Sequence, residues 1–256
     1  MKTPVNQLQL SQQYILALAD DALILGQRLS EWCGHGPVLE EDIAMSNIAL
    51  DCIGQSTLLF RELAARIADG SDEDEWAFTR QETSYTNVLL LELPNGDYAR
   101  TIARQYFYNE FQVLYLAAMA NTSDPFLSGF ATKSLKEVKY HLQHARDWFR
   151  RFALGTEESR RRLQEGIEFL WPYLGEIFTD QESDKNVNDL LSIPLRSSCQ
   201  SHWQMAVENL FAECSMSLPQ SSFYQKGGRQ GRHTEHMGFM LSEMQYLQRA
   251  FPGAKW

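Results

Sequence analysis

Long stretches of this chain place apolar residues at three- and four-residue steps, the period of a helix with one buried face. In 133–152, Leu135, Val138, Leu142, Ala145, Trp148, Phe149 and Phe152 keep that step, and His141, three positions after Val138, shares their face. The same reading gives a first long helix over about 8–32. Its stripe is Leu10, Tyr14, Leu18, Ala22, Leu25 and Leu29, and Gly34, Gly36 and Pro37 end it. A second covers about 39–68, with Ile43, Ile48, Ala49, Cys52, Ile53, Leu59, Leu63 and Ile67 as its buried side. Glu40, Glu41 and Asp42 suit its positive N-terminal end. A third, rich in aromatics, covers about 98–120, and Asp97 is placed to cap it after the breaker Pro94-Asn95-Gly96. The fourth opens with Asp124 as cap and Pro125 in its first position, and it contains the 133–152 stretch.

Between these long elements, the acidic run 71–75 is expected to turn, and 76–93 to form one or two short helices, although 88–91 alone also reads as a strand. Beyond the fourth helix the pattern predicts a fifth helix over 156–178, a polar linker over 180–194 and a sixth helix over 195–214. A loop over 217–231 and a last amphipathic helix over 236–251 follow. There is no convincing strand and no internal repeat. The expectation is an all-α four-helix bundle with additional C-terminal helices. It forms one domain over 1–256, with the bundle core over about 8–153 and the C-terminal helices and loop over about 156–256.

Composition narrows the function classes. At 256 residues with 44% apolar content the chain has enough for a substantial core, and its apolar runs are soon interrupted, so no membrane span is expected. The first thirteen residues lack a charged-then-apolar leader, which makes the cytoplasm the expected location. A formal charge of −10 opposes nucleic acid and anionic membrane as partners. Four cysteines without a C-x-x-C pair read as reduced thiols. The segment 226–233 is basic and glycine-rich. Lys226, Arg229 and Arg232 could contact an anion, such as a coenzyme phosphate, or an acidic partner; the plainer reading is a solvated loop. It is not a P-loop, because no strand precedes it and its lysine stands before the glycines.

A bundle di-iron site takes a carboxylate from each of two helices and Glu-x-x-His from each of two others, since the three-residue step aligns an oxygen donor and an imidazole on one face. The residues three before His35, His141, His144, His202, His233 and His236 are Trp32, Val138, His141, Cys199, Gln230 and His233. None is acidic. On the second helix the sequence reads Asp51-Cys52-Ile53-Gly54-Gln55. It resembles the D-E-x-G-H motif in the catalytic subunit of the phenylacetyl-CoA 1,2-epoxidase system, with Cys52 at the glutamate position and Gln55 at the histidine position. With Val138 in the frame Val138-Lys139-Tyr140-His141, three of four motif ligands are missing and only His141 remains.

The rest of the chain is similar to the C-subunit family of that system over nearly its full length. The resemblance is carried by Gln27-Arg28-Leu29-Ser30-Glu31-Trp32-Cys33-Gly34-His35, Ala77-Phe78-Thr79-Arg80, Pro94-Asn95-Gly96, Thr101-Ile102-Ala103-Arg104-Gln105-Tyr106-Phe107, Lys139-Tyr140-His141-Leu142 and the tail 233–256. It implies a ferritin-like fold and a structural subunit with no cofactor of its own. The implied partners are an iron-binding catalytic A subunit, a small B subunit and a reductase drawing electrons from NADPH, in an assembly that adds one oxygen atom of O₂ across an aromatic 1,2 bond.

Asp51 interrupts an apolar helix, so Asp51, Gln55 and His141 are candidates for a polar network in place of the metals. The rival readings are an atypical ligand set of His141, Glu137, Glu110 and Asp51 in an oxygenase subunit, and a helical protein that binds a CoA ester through the 226–233 segment. Glu137 with His141, and Glu31 with His35, read more simply as helix-surface pairs. Glu110, beside Asn109, reads as structural.

Overall fold

The computed structural model describes residues 8–220 and 224–254. The leader reading at 1–7, part of the 217–231 loop and the last two residues of the 233–256 tail lie outside the described residues. In chain order the helices are α1 (Leu10–Ser30), α2 (Leu39–Ile67), α3 (Glu73–Phe78), α4 (Leu89–Glu92), α5 (Tyr98–Met119) and α6 (Pro125–Leu154). After these come α7 (Glu157–Leu170), α8 (Glu182–Leu191), α9 (Gln200–Glu213), α10 (Glu235–Met244) and α11 (Tyr246–Ala250). No strand occurs among the described residues, and the fold is all-α, of the ferritin-like bundle class, with four long helices and further helices beyond them. The chain divides into two compact units: one runs to Pro94 and resumes at Gly227, and the other is Asn95–Lys226.

In the first unit α1 and α2 pair lengthwise. α1 is buried nearly all round, with Ile15, Leu16 and Ile24 as enclosed as Tyr14 and Leu29. The expected single stripe is therefore too narrow. α2 is rotated from the expected register: Met45, Ile48, Ala49, Cys52, Gln55, Leu59 and Leu63 face inward, whereas Ile43 and Ile53 are exposed. Its apolar residues run almost all round, so periodicity alone leaves the rotation open; Gly26 of α1 fixes it. A Cβ there would lie 3.0 Å from Ile53 Cγ1, 3.2 Å from Cys52 Cβ and 3.3 Å from the Ala49 carbonyl oxygen. α2 is also, by length and composition, apolar enough to cross a membrane, although 44% of its most apolar window is buried inside the protein.

The acidic run expected to turn instead starts α3. Asp72 accepts from the Glu75 amide at 2.8 Å, and Glu73, Asp74 and Glu75 form the negatively charged first turn. Val88 precedes α4 in extended conformation, and 88–91 is no strand. The expected last helix is two, α10 and α11, parted at Gln245. Its buried side chain donates to the Arg80 carbonyl (3.1 Å) and to the Tyr85 hydroxyl (2.7 Å).

In the second unit α5 and α6 pair, with α7 and α9 packed on α5. The caps are those expected: Asp97 accepts from the Arg100 amide at 2.9 Å, and Asp124 from the Leu127 amide at 3.0 Å. The fifth helix is shorter than its pattern. α7 gives way at Trp171–Phe178 to a 3₁₀ segment, because Pro172 has no N–H to continue the α-helical ladder. The stretch read as polar linker holds α8, started by a capping box between Gln181 and Asp184 and anchored by the buried Asp184–Arg196 pair at 3.0 Å. Arg196 belongs to a 3₁₀ turn, Arg196–Cys199, that precedes α9, so the sixth helix is shorter than expected too.

Candidate functional site

The positions that would carry a di-iron site lie on three helices. On α2, Cys52 and Gln55 are buried and Asp51 is half-buried; the Cys52 Cβ packs beneath the α1 crossing at Gly26. On α6, Val138 and His141 are both 1% exposed. His141 therefore does not lie on the exposed surface where the spacing put it. Glu137 has Lys133, one turn back, at 3.9 Å. At the other candidate pair, Glu31 meets Arg28 at 2.7 Å, and the exposed His35 ring lies 3.2 Å from the Cys33 carbonyl. On α5, Glu110 is buried and bonded to Arg146 of α6 at 2.6 Å, which fixes it as a charged acceptor for a guanidinium.

This donor set does not fit a pair of iron ions. Val138 has no donor atom, Gln55 offers only a neutral amide, Cys52 is a soft thiol in helix packing, and Glu110 is neutralised by Arg146. Among the described residues no group of three or more His, Cys, Asp or Glu side chains is placed to hold a metal.

The basic glycine-rich segment is not the solvated loop it resembles. Lys226 and Arg232 are exposed, but Gly227, Gly228, Arg229 and Gly231 are buried, in a tight 3₁₀ turn. The glycines serve close backbone approach: a Cβ on Gly228 would lie 2.1 Å from the Asn87 carbonyl oxygen, and one on Gly231 2.2 Å from that of Thr83. Gly231 also has φ +69°, a left-handed conformation that suits glycine. Arg229 points inward, so it is a structural cation and not an anion contact. Its guanidinium donates to Asp21 Oδ1 (3.0 Å) and Oδ2 (2.6 Å) and to the carbonyls of Ala17 (3.2 Å) and Thr86 (2.7 Å).

Arg229 is one member of a buried ionic cluster that the sequence reading missed. Asp20 and Asp21 sit side by side in α1, about 100° apart around the axis, so they reach different partners. Asp20 bonds Arg80 through both carboxylate oxygens and accepts from the Thr86 amide at 2.8 Å; Asp21 takes Arg229 and the Val88 amide (3.0 Å). Glu92 accepts from Asn87 Nδ2 (2.9 Å), the Thr234 amide and His233 Nδ1 (2.7 Å), while His233 Nε2 faces the Tyr85 carbonyl at 3.0 Å. Both ring nitrogens of His233 meet oxygen atoms, an arrangement that favours the doubly protonated ring. Burial opposes that charge, but the Glu92 hydrogen bond and charge and the Tyr85 carbonyl outweigh it, and the His233 pKa is raised. Arg28 closes the cluster by donating twice to the Glu92 carbonyl, at 2.9 and 2.7 Å. One signal was available: two adjacent acids inside an apolar helix must find buried cations.

The cluster pairs its own charges and is chemically a staple. Comparison with known proteins covers the same extent of chain. The family described as phenylacetic acid catabolic protein matches residues 2–256. The C subunit of the 1,2-phenylacetyl-CoA epoxidase of Escherichia coli (strain K12) is 42% identical over 243 residues, covering 95% of this chain and 98% of that protein. A match of that length, on an all-α bundle, places this chain in the phenylacetic acid catabolic protein family.

Proposed function

We propose that this chain is a non-catalytic structural subunit of a multicomponent phenylacetyl-CoA 1,2-epoxidase, acting in aerobic phenylacetate degradation beside a di-iron catalytic subunit. The family match and the full-length similarity to an epoxidase C subunit support the pathway and a hetero-oligomer. The observation that carries the non-catalytic reading is the side-chain chemistry at the four motif positions: Cys52, Gln55 and Val138 replace oxygen and imidazole donors, and His141 is the one motif ligand kept. One imidazole does not hold two irons, so the oxygen chemistry belongs to the partner. A bundle freed from metal ligation still presents helical surface, and in this reading that is its contribution. The chain works in the cytoplasm, with the catalytic subunit and the small B subunit as its partners.

The test has two parts. Iron is measured per chain in protein produced alone in iron-supplied medium, and the chain is then co-expressed with the catalytic subunit. Near-zero iron with co-elution in one complex is the expected result. Iron approaching two per chain overturns the reading and returns His141, Glu137, Glu110 and Asp51 as ligand candidates.

A further inference from the structure

The two sides of α2 differ in what covers them. Met45, Ile48, Ala49, Cys52 and Leu59 are buried, while Leu39, Ile43, Ser46, Leu50, Ile53 and Thr57 run along the outer side, exposed or half-buried. These six follow one another at alternating four- and three-residue steps, the spacing by which one helix packs lengthwise on another. Leu39 is 72% exposed, Ile43 52% and Leu50 64%. Single exposed apolar side chains are ordinary, but a stripe of them in register along one long helix marks an interaction surface.

Two details fit a close neighbour. None of the six is charged, and Thr57 spends its hydroxyl on the Ile53 carbonyl of its own helix at 2.9 Å, so the seam brings few polar groups to be desolvated. Gly54 borders the seam in the middle of a 29-residue helix, where a glycine costs about 1 kcal/mol relative to alanine. Among the described residues nothing lies within 4 Å of the place its Cβ would take, so no contact there requires a glycine. Its use is to let the backbone of another helix come near.

Charge identifies the occupant. The borders of the seam hold Glu40 and Asp42, and no lysine or arginine occurs between residues 38 and 60. A second copy, laid seam to seam in either direction, has no cation to answer these carboxylates, and each copy carries a formal charge of −10. We propose that the outer face of α2 docks an amphipathic helix of a different subunit, one whose apolar seam is flanked by lysine or arginine. The inference rests on the reading of this chain as one subunit of an assembly, and it names the face by which the chain holds its neighbour.

The test is calorimetric titration of the full chain with the catalytic subunit, together with sedimentation of the chain alone. The wild-type chain is expected to bind, and Ile43→Lys and Leu50→Lys each to weaken binding at least about tenfold. Glu40→Lys should weaken binding at low salt and have less effect at high salt. All three positions are exposed on a helix surface, and an unchanged circular dichroism spectrum checks the fold of each variant. Equal binding by wild type, Ile43→Lys and Leu50→Lys overturns this inference alone; failure of the wild-type chain to bind overturns it together with the partner reading. A chain that is dimeric by itself and monomeric as Leu50→Lys overturns it in favour of a second copy. Binding that Glu40→Lys leaves unchanged at low salt overturns the basic flanks.

Discussion

Removing the Arg229 guanidinium takes from the buried Asp21 the cation it is paired with, and breaking a buried ion pair on one side costs about 3–5 kcal/mol. Arg229→Ala should therefore lower Tm by about 6–20 °C, at roughly 2–4 °C per kcal/mol for a chain of this size. Replacing both partners, with Arg229→Met and Asp21→Leu together, should restore much of the loss; differential scanning calorimetry of the single and double variants decides it. His233 gives a pH signature. Its folded pKa is raised above 6.5, so the stability it contributes is full below about pH 6.5 and is lost as pH rises through the raised value. Urea midpoints should decline with rising pH over that window in wild type, and His233→Gln should flatten the decline. An equal slope in both proteins would show that the imidazolium is not the source. Individual residues also mark the limit of spacing arguments. Glu137 and His141 stand one turn apart, but His141 is 1% exposed and Glu137 has Lys133 beside it. Separation along a helix gives relative direction, not which face the rest of the protein covers.

Elements with strong local signals begin where their side chains say. Asp97 and Asp124 cap α5 and α6, and Pro125 fits the first turn, because capping satisfies backbone donors within three residues. Asp97→Ala should cost about 1 kcal/mol, seen as a lower urea midpoint with unchanged slope. Where the choice is made by packing, pattern fails. The rotation of α2 follows from its contact with Gly26, and Gly26→Val should overpack that crossing and destabilise by about 1–3 kcal/mol. If Gly26→Val leaves the midpoint in place, the crossing is looser than its distances indicate. α8 was hidden by its polarity: only Ser183, Asp184 and Val187 are buried, and its cap and the Arg196 pair supply what an apolar stripe would. The residues 171–178 were lost to α7 for the opposite reason, being apolar enough to prolong the pattern through a proline.

At the scale of the molecule, the first unit is discontinuous: the stretch from Gly227 on returns to residues before Pro94. Ending the chain after Lys226 removes Arg229 and His233 and strands Asp21 and Glu92, so the truncated protein should lose its cooperative thermal transition. A sharp transition at the wild-type Tm would refute the staple. Residue chemistry and periodicity within single segments were enough for the all-α class, the four long helices and the caps of α5 and α6. The family was legible for the same reason, through motifs read in order along the chain. The rotation of α2, the inward turn of Arg229 and the placing of His233 between Glu92 and the Tyr85 carbonyl were settled by packing instead. Each of those depends on groups far apart in the chain, such as Asp21 and Arg229, meeting where water is excluded, and local spacing carries no information about that meeting.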